Sequence, residues 1–149
     1  MAVKPIPEGY HAITPYLVVR GAAKTIDFLK KAFGAEVVFD PLKRPDGTIL
    51  HTEVRIGDSC VMVSDGGDEH QPMPCMLYLY VLDVDASYRQ ALAAGGTKMK
   101  EPQDQFFGDR TASVKDPAGN QWEIATRKED VAPAELKRRA AVMFKQKAA

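Results

Sequence analysis

The sequence predicts an α+β fold of two tandem βαβββ modules related by pseudo-twofold symmetry, forming a curved mixed sheet around a cleft, plus a C-terminal helix. Three observations predict it. Thr14-Pro-Tyr-Leu-Val-Val19, followed by a helical pattern ending at Gly34, reappears 62 positions later as Met76-Leu-Tyr-Leu-Tyr-Val81, followed by a helical pattern ending at Gly96. Later in each half, Gly57-Asp58 and Gly119-Asn120 both end a turn and open a strand. Residues 65–75, with Gly66-Gly67, Pro72 and Pro74, separate the two copies as a linker. A unit that occurs twice buries its apolar surface against its copy, and the cleft between copies is the place to look for function.

The first module, residues 14–64, opens with an alternating strand over Thr14–Val19. Gly21 breaks it, and Ala22, Ile26, Leu29 and Phe33 then recur at helical spacing until Gly34 stops the helix. Ala35–Phe39 reads as a second strand and Pro41–Gly47 as a loop turned at Pro45-Asp46-Gly47. Ile49–Ile56 and Ser59–Ser64 form a hairpin about Gly57-Asp58. The second module, residues 76–126, repeats the plan. Its first strand is Met76–Val81, and its helix is capped by Asp83 and carries Val84, Tyr88, Ala91 and Leu92 as far as Gly95-Gly96. Strand Thr97–Lys100, loop 101–108, strand Arg110–Lys115, turn Asp116–Gly119 and strand Gln121–Thr126 complete it. A further helix at about 133–144 starts on Pro133 and bears an apolar stripe of Leu136, Ala140 and Met143. The whole chain, 1–149, reads as one domain.

Twenty basic residues balance twenty acidic ones, so the one-sided positive field that binds phosphate backbones is missing and nucleic acid is not an expected partner. The longest apolar stretch, Cys75–Leu82, is far shorter than the roughly 20 residues a bilayer needs. The opening Met1-Ala-Val-Lys-Pro-Ile-Pro7 has no apolar secretory core, so the expectation is a cytoplasmic protein with no membrane partner. Cys60 and Cys75 are then expected to be reduced and buried on strands.

Period-two alternation sorts the strands into two faces. Leu17 and Val19, Thr52, Val54 and Ile56, Val61 and Val63, Leu77, Leu79 and Val81, and Trp122 and Ile124 form an apolar face for the helices. The other face carries Tyr16, His51, Glu53, Arg55, Met62, Tyr78, Tyr80, Ser113, Lys115 and Glu123. Convergent polar groups with apolar walls suit a ligand pocket, although one face of an antiparallel sheet is often simply wet. Tyr78 and Tyr80 on one strand favour an enclosed aromatic wall. The loop Phe106-Phe107-Gly108-Asp109-Arg110 adds Phe107, Asp109 and Arg110 as ligand candidates, or as an ion pair that holds the loop. The sequence has no phosphate-binding glycine loop of strand-to-helix type, no Gly-x-Ser-x-Gly elbow and no Cys-x-x-Cys pair.

Thr14-Pro-Tyr-Leu-Val-Val19, Gly57-Asp-Ser59, Phe107-Gly-Asp-Arg110, Asp116-Pro-Ala-Gly119 and the tail Lys128-Glu-Asp-Val-Ala-Pro-Ala-Glu-Leu136, on paired modules, resemble the glyoxalase, bleomycin-resistance and extradiol-dioxygenase (vicinal oxygen chelate) superfamily, and within it the PhnB-like branch. The resemblance implies a homodimer that binds a small molecule in its cleft. It also implies, for members that are metalloenzymes, four ligands at positions that fall here on Thr14, Met62, Met76 and Glu123. A hydroxyl and two thioethers are poor ligands for divalent first-row metals, so no cofactor is expected. The alternatives are a metal-dependent lyase, isomerase or dioxygenase using His51, Glu53 and Glu123 with a divalent metal, and a protein-interaction module. His11 and His70 read as surface histidines.

Overall fold

The computed structural model describes residues 2–149. The first module runs β1 (Tyr16–Val19), α1 (Ala22–Phe33), β2 (Glu36–Lys43), β3 (Ile49–Ile56) and β4 (Ser59–Asp65). The second runs β5 (Met76–Tyr80), α2 (Val84–Ala93), β6 (Thr97–Asp104), β7 (Asp109–Lys115) and β8 (Gln121–Arg127), and α3 (Pro133–Ala148) follows. Each module folds into a four-stranded mixed sheet with the same order, β1-β4-β3-β2 and β5-β8-β7-β6. In both, the first strand pairs parallel to the last, and the other pairs are antiparallel. The internal repeat read from the sequence is therefore a repeat of topology, in an α+β fold with an added C-terminal helix.

Local chemistry accounts for the helix ends. Gly21 stands at the start of α1 with φ of 80°, where a side chain would be strained, so no residue there supplies a cap. Asp65, at the end of β4, supplies it instead. Its Oδ1 accepts the backbone N–H groups of Gly21 and Ala22, both at 2.9 Å, and its Oδ2 accepts that of Ile49 at 2.8 Å. Gly34 closes α1 in the left-handed conformation, its N–H donating to Lys30 O and that of Ala35 to Leu29 O. The Asp83 carboxylate caps α2 by accepting from Ala86 N at 3.1 Å.

The apolar face lies under the helices, and one continuous core spans both modules. Leu17, Val54, Val63, Val114, Trp122 and Ile124 are buried with Phe28 and Leu29 of α1 and Val84, Tyr88 and Ala91 of α2. Phe33 packs on Trp122 with ring centroids 5.1 Å apart, and the Gln90 amide donates to Lys31 O at 2.7 Å, joining the two helices. The linker lies along β1, where Gly66 N donates to Val19 O and Met73 N to Val18 O. The tail helix α3 buries none of its residues. Arg139 tethers it by bonding Phe106 O and pairing with Glu129, and it also pairs with Glu135 one turn back along the same helix. Among the described residues no helix is long and apolar enough to cross a membrane.

The structure departs from the expected boundaries in a repeated way. Strands β2 and β6 continue through Pro41 and Pro102 to Lys43 and Asp104, where a loop was expected. Both are edge strands, and both have register shifts at the proline, between Phe39 and Leu42 and between Lys100 and Gln103. An edge strand has no second neighbour that needs the missing N–H, and a bulge absorbs the rest. The first strand begins at Tyr16 rather than Thr14, and α3 extends to Ala148 rather than ending near 144.

Candidate functional site

Register aligns the polar faces of the two modules row by row. In the first, Tyr16 pairs with Met62 and Met62 with Glu53; in the second, Tyr78 pairs with Glu123 and Glu123 with Ser113. Each row thus holds one tyrosine and one glutamate, but the glutamate sits on the third strand of one module and the last strand of the other.

In the first module the Glu53 carboxylate organises the face. Its Oε1 lies 3.0 Å from His51 Nε2, and its Oε2 accepts the hydroxyl of Tyr10. A carboxylate only accepts, so Nε2 of a neutral His51 carries the proton and Nδ1 faces the Tyr16 hydroxyl 3.3 Å away. Arg55, at the outer end of the same strand face, pairs with Glu36. Met62 lies half-buried between Tyr16 and Glu53. Tyr16, His51, Arg44 and His70 border a cleft of about 420 Å³.

In the second module the Asp109 carboxylate is buried, and its Oδ2 accepts both the Tyr78 hydroxyl at 2.7 Å and the Tyr80 hydroxyl at 2.8 Å. Burial, then the hydrogen bond to Asp109, pushes the Tyr78 phenol well above its ordinary value. The same bond is the main cause that raises Tyr80. Arg127 Nε stands 3.2 Å from Asp109 Oδ1, near enough for charge pairing but off the hydrogen-bond direction, so that oxygen is buried without a donor. Glu123 is 8 % exposed and accepts the Ser113 hydroxyl.

These bonds gather Tyr16, His51 and Glu53 into one chain and Tyr78, Tyr80 and Asp109 into another. Arg110 is not among them. Alternation along β7 turns it to the helix side, where it holds Asp85 at 2.8 Å and Asp104 at 3.2 Å, instead of forming the Asp109–Arg110 pair of the sequence reading. Phe107 packs edge-on against Phe106 in the β6–β7 turn and offers its carbonyl to Arg127. Sequence reasoning missed Tyr10 and Arg127. Tyr10 lies in an irregular segment with no periodicity to reveal it, whereas Arg127 continues the 121, 123, 125 alternation one step past the expected strand end.

Of the four positions the resemblance implies for a metal, Thr14 donates to His11 O ahead of β1, Met76 is 62 % exposed, and Glu123 is engaged by Ser113. In the alternative set, His51 and Glu53 meet each other, and Glu123 belongs to the other row. Among the described residues no three His, Cys, Asp or Glu side chains come together to hold a metal ion.

A larger groove, about 790 Å³, lies between the modules. The Gly57-Asp58 turn forms one side, and Tyr78, Tyr80 and Leu82 with the start of α2 form the other.

The chain is 40 % identical to an uncharacterized protein of Mycobacterium bovis over 76 % of its own length and 81 % of that protein. An uncharacterized protein of Mycobacterium tuberculosis is equally similar, with 72 % of its length covered. Among solved structures, TioX from Micromonospora sp. ML1 superposes with a TM-score of 0.66 at 26 % identity, over 78 % of this chain and 98 % of that one. The PhnB protein from Bacillus cereus shares the fold with a TM-score of 0.62 at 18 % identity, over 78 % and 99 % of the two chains. The model of the Glyoxalase/Bleomycin resistance protein/Dioxygenase superfamily matches residues 10–124, and the chain belongs to that superfamily.

Proposed function

We propose that this protein, a homodimer of the PhnB-like branch, binds a small organic molecule in the cleft between its modules without the divalent metal that metalloenzyme members use. The observation that carries this reading is the groove of about 790 Å³, which falls in the size range of small-molecule sites and combines apolar walls of Phe33, Leu79 and Leu82 with phenol and carboxylate groups. The donor set at the family's metal positions does not fit a first-row ion, because Thr14, Met62 and Met76 offer a hydroxyl and two thioethers. The half-buried stripe on α3, the exposed Phe144 beside it, and the exposed Met76 and Leu82 at β5 support pairing of two copies.

Native mass spectrometry of protein purified without chelator or affinity tag, with elemental analysis of the same sample, tests all three parts. The expected result is a dimer, a non-covalent organic adduct or saturable uptake from a compound library, and well under one metal per chain. One tightly held metal per chain coordinated by Met62 or Met76 would overturn the metal-free reading. A library screen with no saturable binder would overturn the binding reading.

A further inference from the structure

We propose that the groove along β5 is a site for an organic cation, whose positive group rests on the rings of Tyr78 and Tyr80. The proposal rests on the small-molecule reading above and adds the charge of the molecule. The two rings are 43 % and 56 % exposed, with centroids 5.3 Å apart and planes inclined at 56°, so they offer a bent aromatic platform. Their hydroxyls are fixed from below by a single oxygen, Asp109 Oδ2. A phenol that donates to a carboxylate gains electron density in its ring, which deepens the negative face that attracts cations.

The charged groups that border the groove are acidic, whereas the cation Arg127 stands behind the platform, against Asp109 and the Tyr80 hydroxyl. Among the described residues, the ionisable groups bordering the groove besides the two tyrosines are Asp58 and Asp83, with no Lys, Arg or His. Beneath it, Glu123 is buried with only the neutral Ser113 hydroxyl as donor, and it has no salt bridge among the described residues. Among the described residues Asp109 pairs with one cation, Arg127, and that guanidinium leaves Oδ1 without a hydrogen bond. With Asp109 paired to Arg127, the acidic groups left without a cation are Glu123 beneath the platform and Asp58 and Asp83 at the groove, and in a low-dielectric wall they favour a positive ligand over a neutral one of the same shape. Phe33, Leu79 and Leu82 provide the surface for an apolar remainder.

The probes are choline and 3,3-dimethylbutan-1-ol, which share a shape and differ in charge, titrated into the full chain and followed by protein NMR shifts. Choline is expected to bind about fivefold more tightly or better, with the shifts centred on Tyr78 and Tyr80. Tyr78→Leu and Tyr80→Leu should abolish that preference, while Tyr80→Phe, which keeps the ring, should retain part of it. Tyr78 and Tyr80 are 43 % and 56 % exposed, and melting midpoints establish that each variant is folded before it is titrated. Equal affinity for the two probes, a preference that survives both leucine variants, or no saturable binding of choline each overturns the cation site. Binding of the neutral alcohol equal to that of choline would leave the small-molecule reading standing. The library screen described above decides that reading independently.

Discussion

The Ser113 hydroxyl donates to the Glu123 carboxylate across the β7–β8 ladder, and both side chains are buried. A buried carboxylate with a single side-chain donor depends heavily on that donor. Ser113→Ala should therefore lower stability by about 1–3 kcal/mol, the cost of an unsatisfied buried acceptor. Glu123→Gln keeps an acceptor for Ser113 while removing the charge, so it should weaken binding of a ligand from the library screen more than it lowers the melting midpoint. Chemical denaturation of both variants, with ligand affinity for the second, checks the pair.

Trp122, the next residue along β8, points the other way. It is 2 % exposed, packs on Phe33, and its indole N–H donates to Asp116 Oδ2 at 3.0 Å. Trp122→Ala should cost about 3–5 kcal/mol as a large-to-small core change. Ligand affinity, measured below the melting range, should change little. Loss of binding without loss of stability would mean that the strand presents the opposite face.

Asp109→Asn removes the charge that holds both tyrosine hydroxyls protonated. In the wild type burial and then the Asp109 bond raise Tyr78, and the Asp109 bond and then burial raise Tyr80, so the protonated phenols contribute stability that is intact below about pH 10 and is lost as pH rises beyond it. Ultraviolet titration should find two tyrosines that ionise at lower pH in the variant, and alkaline unfolding should depend less on those groups. Identical tyrosine titrations in the two proteins would contradict the hydrogen bonds.

The attachment of α3 is also pH-dependent, in the acid range. Within the helix, Arg138 and Arg139, in that order, hold the Glu135 carboxyl down at about 2, which steadies the first turns of α3 itself. Arg139 likewise lowers Glu129. Carboxyls depressed in the folded state stabilise it above their unfolded values, near 4.5, and lose that contribution as pH falls toward 2. Amide hydrogen exchange should find α3 protected at neutral pH and released across that window, before the two-module core unfolds. Arg139→Gln should release it at neutral pH.

The architecture was legible in the sequence because the same alternation, glycine stops and turn signals occur twice. The boundaries that were not legible share one cause. Pro41 and Pro102 read as strand breakers, yet each sits on an edge strand where a bulge accommodates it, and edge status is a property of the sheet rather than of the local sequence. At the site, alternation puts Tyr16, His51 and Glu53 on one strand face, where hydrogen bonds connect them, whereas Asp109 and Arg110 are neighbours in the sequence and face opposite ways on β7. The Tyr10 contact to Glu53 spans 43 positions from an irregular segment, and no local pattern encodes it.

Asp65 couples the order of assembly to the sheet. It reaches back 44 positions to Gly21 and also bonds Ile49, so the start of α1 and the ends of β3 and β4 are fastened at one carboxylate. Helix α1 has no acidic residue in its own first turn and no cap of its own. It is therefore a poor autonomous helix, completed by a strand made after it. A nascent chain that stops before Asp65 lacks the acceptor for the Gly21 and Ala22 N–H groups, so the start of α1 waits on the end of β4 for its cap.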